Sequence, residues 1–224
     1  MNRLQTTPED HIDINALQLE LNDPKWHINI YDHVSSTMEV VQRLAADGAP
    51  YGTVAIAKTQ SAGYGRHGRI WQSPRGGVWL TALLPPRLIG ETKMIDEQRR
   101  LDHDLHQWNI TLARQIAFQI GSTLEIPVQA VEPNDLFLAG RKVGGILCQT
   151  VISSGQLQLL LAGVGINVNN RSSDLKEVEK PAISIKDYLG RAVSLNRVIT
   201  AILIGMAKSR EDERMCNISC NCES

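Results

Sequence analysis

The sequence predicts an α+β fold, a mixed or antiparallel sheet with helices packed against one face of it. Three observations carry the prediction. Two segments, 35–48 and 109–124, repeat apolar residues at intervals of three or four, the stripe of a helix resting on a sheet. From Val128 onward the pattern changes to short apolar runs separated by turn residues, the mark of strands joined by tight connections. No internal repeat or low-complexity segment interrupts the 224 residues, and at 42% hydrophobic they can bury a sizeable core as one large domain or one domain with appendages.

In chain order, residues 1–27 are weakly patterned and read as an N-terminal extension, within which DINALQLELND (13–23) is a candidate short helix. PKWHINIYDHV (24–34) leads into a strand. The helix over 35–48 has Ser35, Ser36 and Thr37 to cap it, Glu39 in its first turn, Val40, Val41 and Leu44 as a face, and Gly48 as its stop. Thr53–Ala57 is β-rich and delivers the chain to a glycine and arginine stretch; VWLTALLPP (78–86) is a second strand closed by two prolines. The mostly polar residues 87–106 read as a surface excursion. In NITLARQIAFQIGSTL (109–124), Ile110, Ala113, Ile116, Ala117, Ile120 and Leu124 form one stripe, with the helix ending near Gly121. Turn residues at Ala139-Gly140 and Ser153-Ser154-Gly155 then divide the chain into three antiparallel strands. A last helical pattern, SLNRVITAILIGM (194–206), gives way to a polar tail at 207–224.

Lysine and arginine number 23 against 24 acidic residues, a formal net charge of -1, so nothing draws the whole chain to nucleic acid or an anionic membrane and any cationic function is local. No apolar run is long enough to span a bilayer, and the first residues lack the hydrophobic segment of a signal peptide. A cytoplasmic protein is expected. Cys148 lies among Ile146, Leu147 and Val151 and reads as a small core residue. Cys216, Cys220 and Cys222 have no partner that completes a familiar zinc pattern, so no metal site is expected there.

Three stretches carry chemistry. In QSAGYGRHGRIWQSPRGG (60–77), Gly63, Gly65 and Gly68 allow backbone N–H groups to converge on an anion, while Arg66 and Arg69 add guanidinium forks on either side of His67. The stretch lacks the Lys-Ser/Thr ending of the ATPase phosphate loop. A solvated arginine-rich hairpin is the competing reading. In PNDLFLAGRKVGGIL (133–147), Asp135 either caps a turn or faces a cation, and Lys142 precedes Gly144-Gly145, where a flat ligand could lie against the strand. In GVGINVNN (163–170), Asn167 ends an apolar strand and either presents its amide to a ligand or serves the turn.

Taken in order, the Ser-Ser-Thr helix start, the Q-x-A-G-x-G-R-x-G-R-x-W stretch, Pro-Asn-Asp followed by GRKVGGIL, and GVGINVN resemble the catalytic domain of biotin protein ligases, from about Ile28 to Leu195. The resemblance implies a biotin/lipoate ligase-like fold and a two-step reaction. Biotin is activated by ATP, with Mg²⁺ accompanying the nucleotide, to biotinyl-5′-AMP, and the acyl group then passes to a lysine of the biotin carboxyl carrier protein of acetyl-CoA carboxylase. Carried over by position, Ser36, Thr37 and Met38 would meet the biotin ring and Gln60 would lie along it. Gly63, Tyr64, Gly65 and Arg66 would close over the acyl-phosphate linkage, and Arg69 would contact phosphate. Lys142 would bridge the biotin carboxylate and the adenylate phosphate, and Gly145 would contact the ligand through its backbone. Asn134, Asp135 and Asn167 would serve the nucleotide, Asp135 by orienting the lysine or the metal. Lys142, Arg66 and Arg69 are thus the candidate catalytic residues, with no protein ligand set for a metal.

The chain departs from the family pattern at Tyr64, where an arginine is usual, at Val131-Glu132 in place of Lys-Trp, and at Met38 in place of asparagine. Glu132 is expected to repel phosphate. Residues 28–206 are assigned to the catalytic domain, with neither an N-terminal helix-turn-helix nor the C-terminal β-barrel expected, hence no DNA partner, no membrane, and a monomer or homodimer. Two other readings stay open: a relative that binds biotin without efficient turnover, and a lipoate or octanoyl ligase of the same fold.

Overall fold

The computed structural model describes residues 11–86, 97–153, 156–175 and 181–220. Its helices are α1 (Ile14–Leu21), α2 (Thr37–Ala46), α3 (Glu97–Leu124), α4 (Ile185–Leu189) and α5 (Leu195–Cys220). Its strands are β1 (His27–Tyr31), β2 (Thr53–Ala57), β3 (Val78–Leu84), β4 (Gln129–Val131), β5 (Asp135–Leu138), β6 (Arg141–Ser153) and β7 (Gln156–Ile166). The strands form one sheet in the order β1-β2-β3-β7-β6-β5-β4. Only β1 and β2 run parallel, and every other pairing is antiparallel. The sheet is mixed and the fold α+β, as expected from the sequence.

Strand alternation sorts the side chains onto two faces. Val54 and Ile56 of β2, Leu80 and Ala82 of β3, and Leu160, Ala162 and Val164 of β7 join the main core with α1, α3 and α5. The intervening Ala55, Leu83 and Leu161 meet Met38 and Val41 of α2 on the other side. Helices therefore cover both faces, which corrects the expectation of one covered face; α2 is too short to cover its side fully. The uncovered part of that face is where the functional residues gather.

Three boundaries differ from the sequence reading. Residues 97–106, expected in a surface excursion, are the first turns of α3, because Leu101, Leu105, Trp108 and Leu112 recur at helical spacing and turn inward. α3 also runs past Gly121 to Leu124. Residues 11–27, expected as an extension, are part of the domain: Ile12, Leu17 and Trp26 are buried in the main core. Asn196 at the start of α5 also accepts a hydrogen bond from Asp13 N at 3.1 Å and donates one to Asp13 O at 3.0 Å. At the other end α5 continues beyond Met206, where the apolar pattern stops, through Cys220. Gly205 permits its close approach to α3, since a Cβ there would lie 3.0 Å from Ile116 Cα.

The expected meander has four strands rather than three, β4 being three residues long. Its Ala139-Gly140 turn joins β5 to β6 with φ of 50° and 73°, the doubly left-handed geometry of a tight hairpin. Ser154 and Gly155 of the other expected turn, and the side chains of the three tail cysteines, lie outside the described residues.

Candidate active site

Two rows of residues cross the open face of the sheet. One runs Ala55, Thr81, Gly163, Leu147; the next runs Ala57, Trp79, Gly165, Gly145, Asp135. Glycine at 163, 165 and 145 keeps this bench low. Above it opens a cleft of about 680 Å³, within the size range of small-molecule sites. It is bordered by the start of α2, the 60–72 loop, and Pro133, Asn134 and Asp135 at the start of β5 together with Lys142.

Of the residues expected at the site, Ser36, Thr37, Met38, Gln60, Tyr64, Gly65, Arg66, Arg69, Asn134, Asp135, Lys142, Gly145 and Asn167 all line this cleft. They come from positions up to 131 residues apart in the chain. Gly63 does not line it. A Cβ at Gly63 would lie 2.6 Å from Trp71 O and 2.9 Å from Ser73 Oγ, so this glycine lets the loop fold back on itself. Glu132 is also absent from the lining: its carboxylate pairs with Arg114 of α3 at 3.1 Å, so it does not set negative charge against the site.

At one end of the cleft the Ser36 hydroxyl caps α2 by accepting from Met38 N at 3.2 Å. Gln60 Oε1 accepts from Thr37 N at 2.8 Å and from Thr37 Oγ1 at 3.1 Å, and Gln60 Nε2 donates to Ser73 Oγ at 2.7 Å. The Thr37 and Thr81 hydroxyls share a hydrogen bond at 2.9 Å. This linked set of buried and half-buried polar groups fixes the helix start relative to the loop, leaving a polar rim over apolar Met38 and Leu147.

The loop itself is tied at both ends. Gly65 N donates to Arg69 O at 2.8 Å around a single 3-10 turn at Arg66–Gly68, in which His67 and Gly68 hold φ of 58° and 70°. Tyr64 packs against the small apolar cluster and its hydroxyl donates to Gln149 Oε1 at 3.3 Å. Burial and the nearby Glu39 charge push the Tyr64 phenol above its ordinary value, against that hydrogen bond, so the group is neutral at physiological pH. Where an arginine was the usual residue, the chain has a neutral anchor. Arg66 and Arg69 remain on the exposed tip.

At the other end Lys142 Nζ lies 2.6 Å from Asp135 Oδ1, with the carboxylate only 7% exposed, and 5.2 Å from the centre of the Trp71 ring. A β-bulge makes the pair. Between Leu136 and Phe137 the β5–β6 register shifts so that Lys142, not Val143, stands opposite Phe137. Val143 turns into the main core and Lys142 onto the cleft face, a re-aiming that bulges perform beside functional sites. Asn134 holds the adjoining turn, its Nδ2 donating to Ile146 O at 2.7 Å. Asn167 Oδ1 accepts from Asn170 Nδ2 at 3.0 Å, which leaves its amide nitrogen as the group it can offer. Among the charged residues lining the cleft, Arg66, Arg69 and Lys142 oppose the single carboxylate of Asp135, a local cationic site in a chain of net charge -1.

A family model described as the biotin/lipoate A/B protein ligase family matches residues 31–167. The chain belongs to that family. Among its curated relatives, the bifunctional ligase/repressor BirA of Bacillus subtilis (strain 168) is 30% identical over 189 residues, covering 83% of this chain and 54% of the relative. The biotin--[acetyl-CoA-carboxylase] ligase of Mycobacterium tuberculosis is 28% identical over 176 residues, covering 75% and 58%. The chain thus spans little more than half the length of these relatives. Among solved structures, the biotin protein ligase from Aquifex aeolicus in complex with biotin and ATP superposes with a TM-score of 0.67 at 27% identity, over 83% of this chain and 70% of that one.

The ligase-family cleft includes residues that sequence reasoning left without a role. Trp71 lies over Gly165 and Gly145 with its indole Nε1 buried and without a hydrogen-bond partner; Thr81, Gly163 and Gly165 form the bench. Gly163 and Gly165, spaced two apart in an apolar strand, were the available signal of a face kept clear. Trp71 closes the glycine and arginine motif, but nothing in the sequence signalled its place over the bench, which depends on how the loop folds back. Asn169 and Asn170 serve the frame: Asn169 exchanges two hydrogen bonds with the Val193 backbone, at 2.9 and 3.0 Å.

Proposed function

We propose that this chain is an ATP-dependent biotin protein ligase, forming biotinyl-5′-AMP and transferring biotin to a lysine of the biotin carboxyl carrier protein of acetyl-CoA carboxylase. The observation that carries the reading is the Lys142–Asp135 pair on a glycine-floored bench between a polar helix start and a cationic loop. The named substrates of the Aquifex aeolicus and Mycobacterium tuberculosis proteins support biotin over lipoate.

In the first step a biotin carboxylate oxygen attacks the α-phosphorus of ATP, the bond to the β-phosphate oxygen breaks, and pyrophosphate leaves with the electron pair. In the second, the neutral amine of the carrier lysine attacks the acyl carbon, AMP leaves, and the amide forms as the amine proton is released. No protein nucleophile is needed. The ring of biotin fits the end formed by Ser36, Thr37, Met38 and Gln60. Its carboxylate then points toward Lys142, whose ammonium offsets charge on both carboxylate and phosphate, and a charge-stabilising group held in place before reaction is worth most in such a site. Arg66 and Arg69 would fold their forks onto the phosphates from above, while Gly65 and Gly145 let the backbone approach. Asn134 and Asn167 border the nucleotide end.

Mg²⁺ would arrive on the phosphates and neutralise part of their charge. The cleft itself is a poor metal cage: its one carboxylate, Asp135, is already held by Lys142, and the described residues contain no cluster of three metal-ligating side chains. Among the described residues no helix is long and apolar enough to cross a membrane, and a carboxylase carrier as partner fits a cytoplasmic setting.

Incubation of the purified protein with biotin and α-labelled ATP is the direct test. Labelled biotinyl-AMP is expected, with none when lipoate or octanoate replaces biotin. Biotin binding without adenylate would reduce the chain to a binding protein, and adenylate formed only with lipoate would assign it to the other branch.

A further inference from the structure

We infer that Asn109, outside the cleft on α3, is a positioning residue that sets the Asp135–Lys142 pair for adenylation. The inference rests on the ligase reading above for its consequence but not for its geometry. Asn109 is 9% exposed. Its Nδ2 donates to Pro133 O at 3.2 Å, and its Oδ1 accepts from Cys148 Sγ on β6 at 3.1 Å. Pro133 lies in the 132–134 turn that leads into β5, whose first residue is Asp135.

The turn is therefore gripped on two sides. From β6, Asn134 Nδ2 donates to Ile146 O at 2.7 Å while Ile146 N donates to Asn134 O at 2.9 Å. From α3, Asn109 fixes the height of Pro133. A second polar tie between α3 and this region, Arg114 to Glu132, has side chains 67% and 61% exposed and contributes little. The buried amide supplies the directional constraint, because a buried hydrogen bond left unmade costs more than the bond itself contributes.

Cys148 decides which way that amide points. Burial pushes its thiol far above the ordinary range, so it carries its proton, and a protonated thiol facing an amide donates to the oxygen. Oδ1 is thereby held toward β6 and Nδ2 toward Pro133. A flipped amide would set a carbonyl against a carbonyl at the turn. The line runs from the partly buried Cys148 thiol through Asn109 to Pro133, and from there along the backbone to Asp135 and its partner Lys142.

Three variants test this. In Asn109→Ala, the single-turnover rate of biotinyl-AMP formation is expected to fall about tenfold or more, since small displacements of positioned groups are costly. The biotin Kd is expected to move by less than about twofold, because the ring end of the cleft is built by other elements. Independently of ligase activity, acetylation of Lys142 by acetic anhydride, mapped by mass spectrometry, is expected to run several-fold faster once Asp135 is displaced. If Asn109→Ala does not fold, Cys148→Ser and Cys148→Ala decide: the serine variant keeps a donor and is expected to form adenylate several-fold faster than alanine. Unchanged Lys142 acetylation in folded Asn109→Ala, loss of biotin binding in step with rate, or equal rates in the two Cys148 variants would overturn the inference. Absence of adenylate from the unmutated protein would instead overturn the ligase reading and leave the acetylation comparison to decide this one.

Discussion

Lys142 and Asp135 are partners because of a one-residue bulge. The 2.6 Å contact joins side chains of adjacent strands, and in a regular ladder Lys142 would share the core face with Ile146, four residues along the same strand. The register shift at Leu136/Phe137 exchanges it with Val143. On the proposed reaction, Lys142→Ala is expected to lower adenylate formation by about 10²–10³-fold, the range for removing one preorganised charge-stabilising donor. Lys142→Arg is expected not to restore it, because a planar fork cannot occupy the space of an ammonium between Asp135 and the Trp71 ring. Rapid-quench measurement of biotinyl-AMP reads both.

The bench glycines separate packing from ligand space. A Cβ at Gly165 would stand 2.5 Å from Trp71 Nε1, whereas one at Gly145 meets nothing closer than 3.6 Å. Gly165→Ala is expected to lower stability by about 1–3 kcal/mol as the indole is displaced, with a change in tryptophan fluorescence. Gly145→Ala is expected to keep the melting temperature and weaken biotin or adenylate binding, which calorimetry would report.

Acid sensitivity has an identifiable contributor at Asp187. Its burial works against the charge, but hydrogen bonds from Ser172 and Ser184 outweigh it and hold the carboxyl below its ordinary value of 3.8. A carboxyl depressed in the folded state contributes stability above the unfolded value, and this is lost as pH falls through the folded value. Asp187→Asn is therefore expected to lower the melting temperature modestly near neutrality and to flatten its dependence on pH below about 4, the two proteins converging in acid. A melt series across that range decides it.

Cys148 is expected to be inert. With its thiol pushed up by burial and donating to Asn109, too little thiolate forms near neutral pH for alkylation. Peptide mapping after iodoacetamide treatment is expected to find Cys148 unmodified in the folded chain and fully modified after denaturation.

Much of the frame was legible from pattern. The Ser36 cap, the Thr53–Ala57 strand and the Ala139-Gly140 turn are local features whose causes lie within a few residues, and of the site residues the ordered motifs named, all but Gly63 line the cleft. The first turns of α3 were hidden because Leu101, Leu105 and Trp108 are diluted by charged neighbours, and the stripe is recognised only when followed through to Leu112.

By itself, then, the sequence determined the α+β class, the family motifs and the set of residues that meet at the site, since helix and strand periodicity and turn chemistry act over short range. Tertiary structure alone decided which way those residues face. The bulge that turns Lys142 toward Asp135, the loop reversal that withdraws Gly63 and lays Trp71 over the bench, and the pairing that takes Glu132 to Arg114 each depend on how separate elements meet in space rather than on the pattern within any one of them. Shifting a strand by one residue reverses every side chain on it, and no local preference encodes that choice.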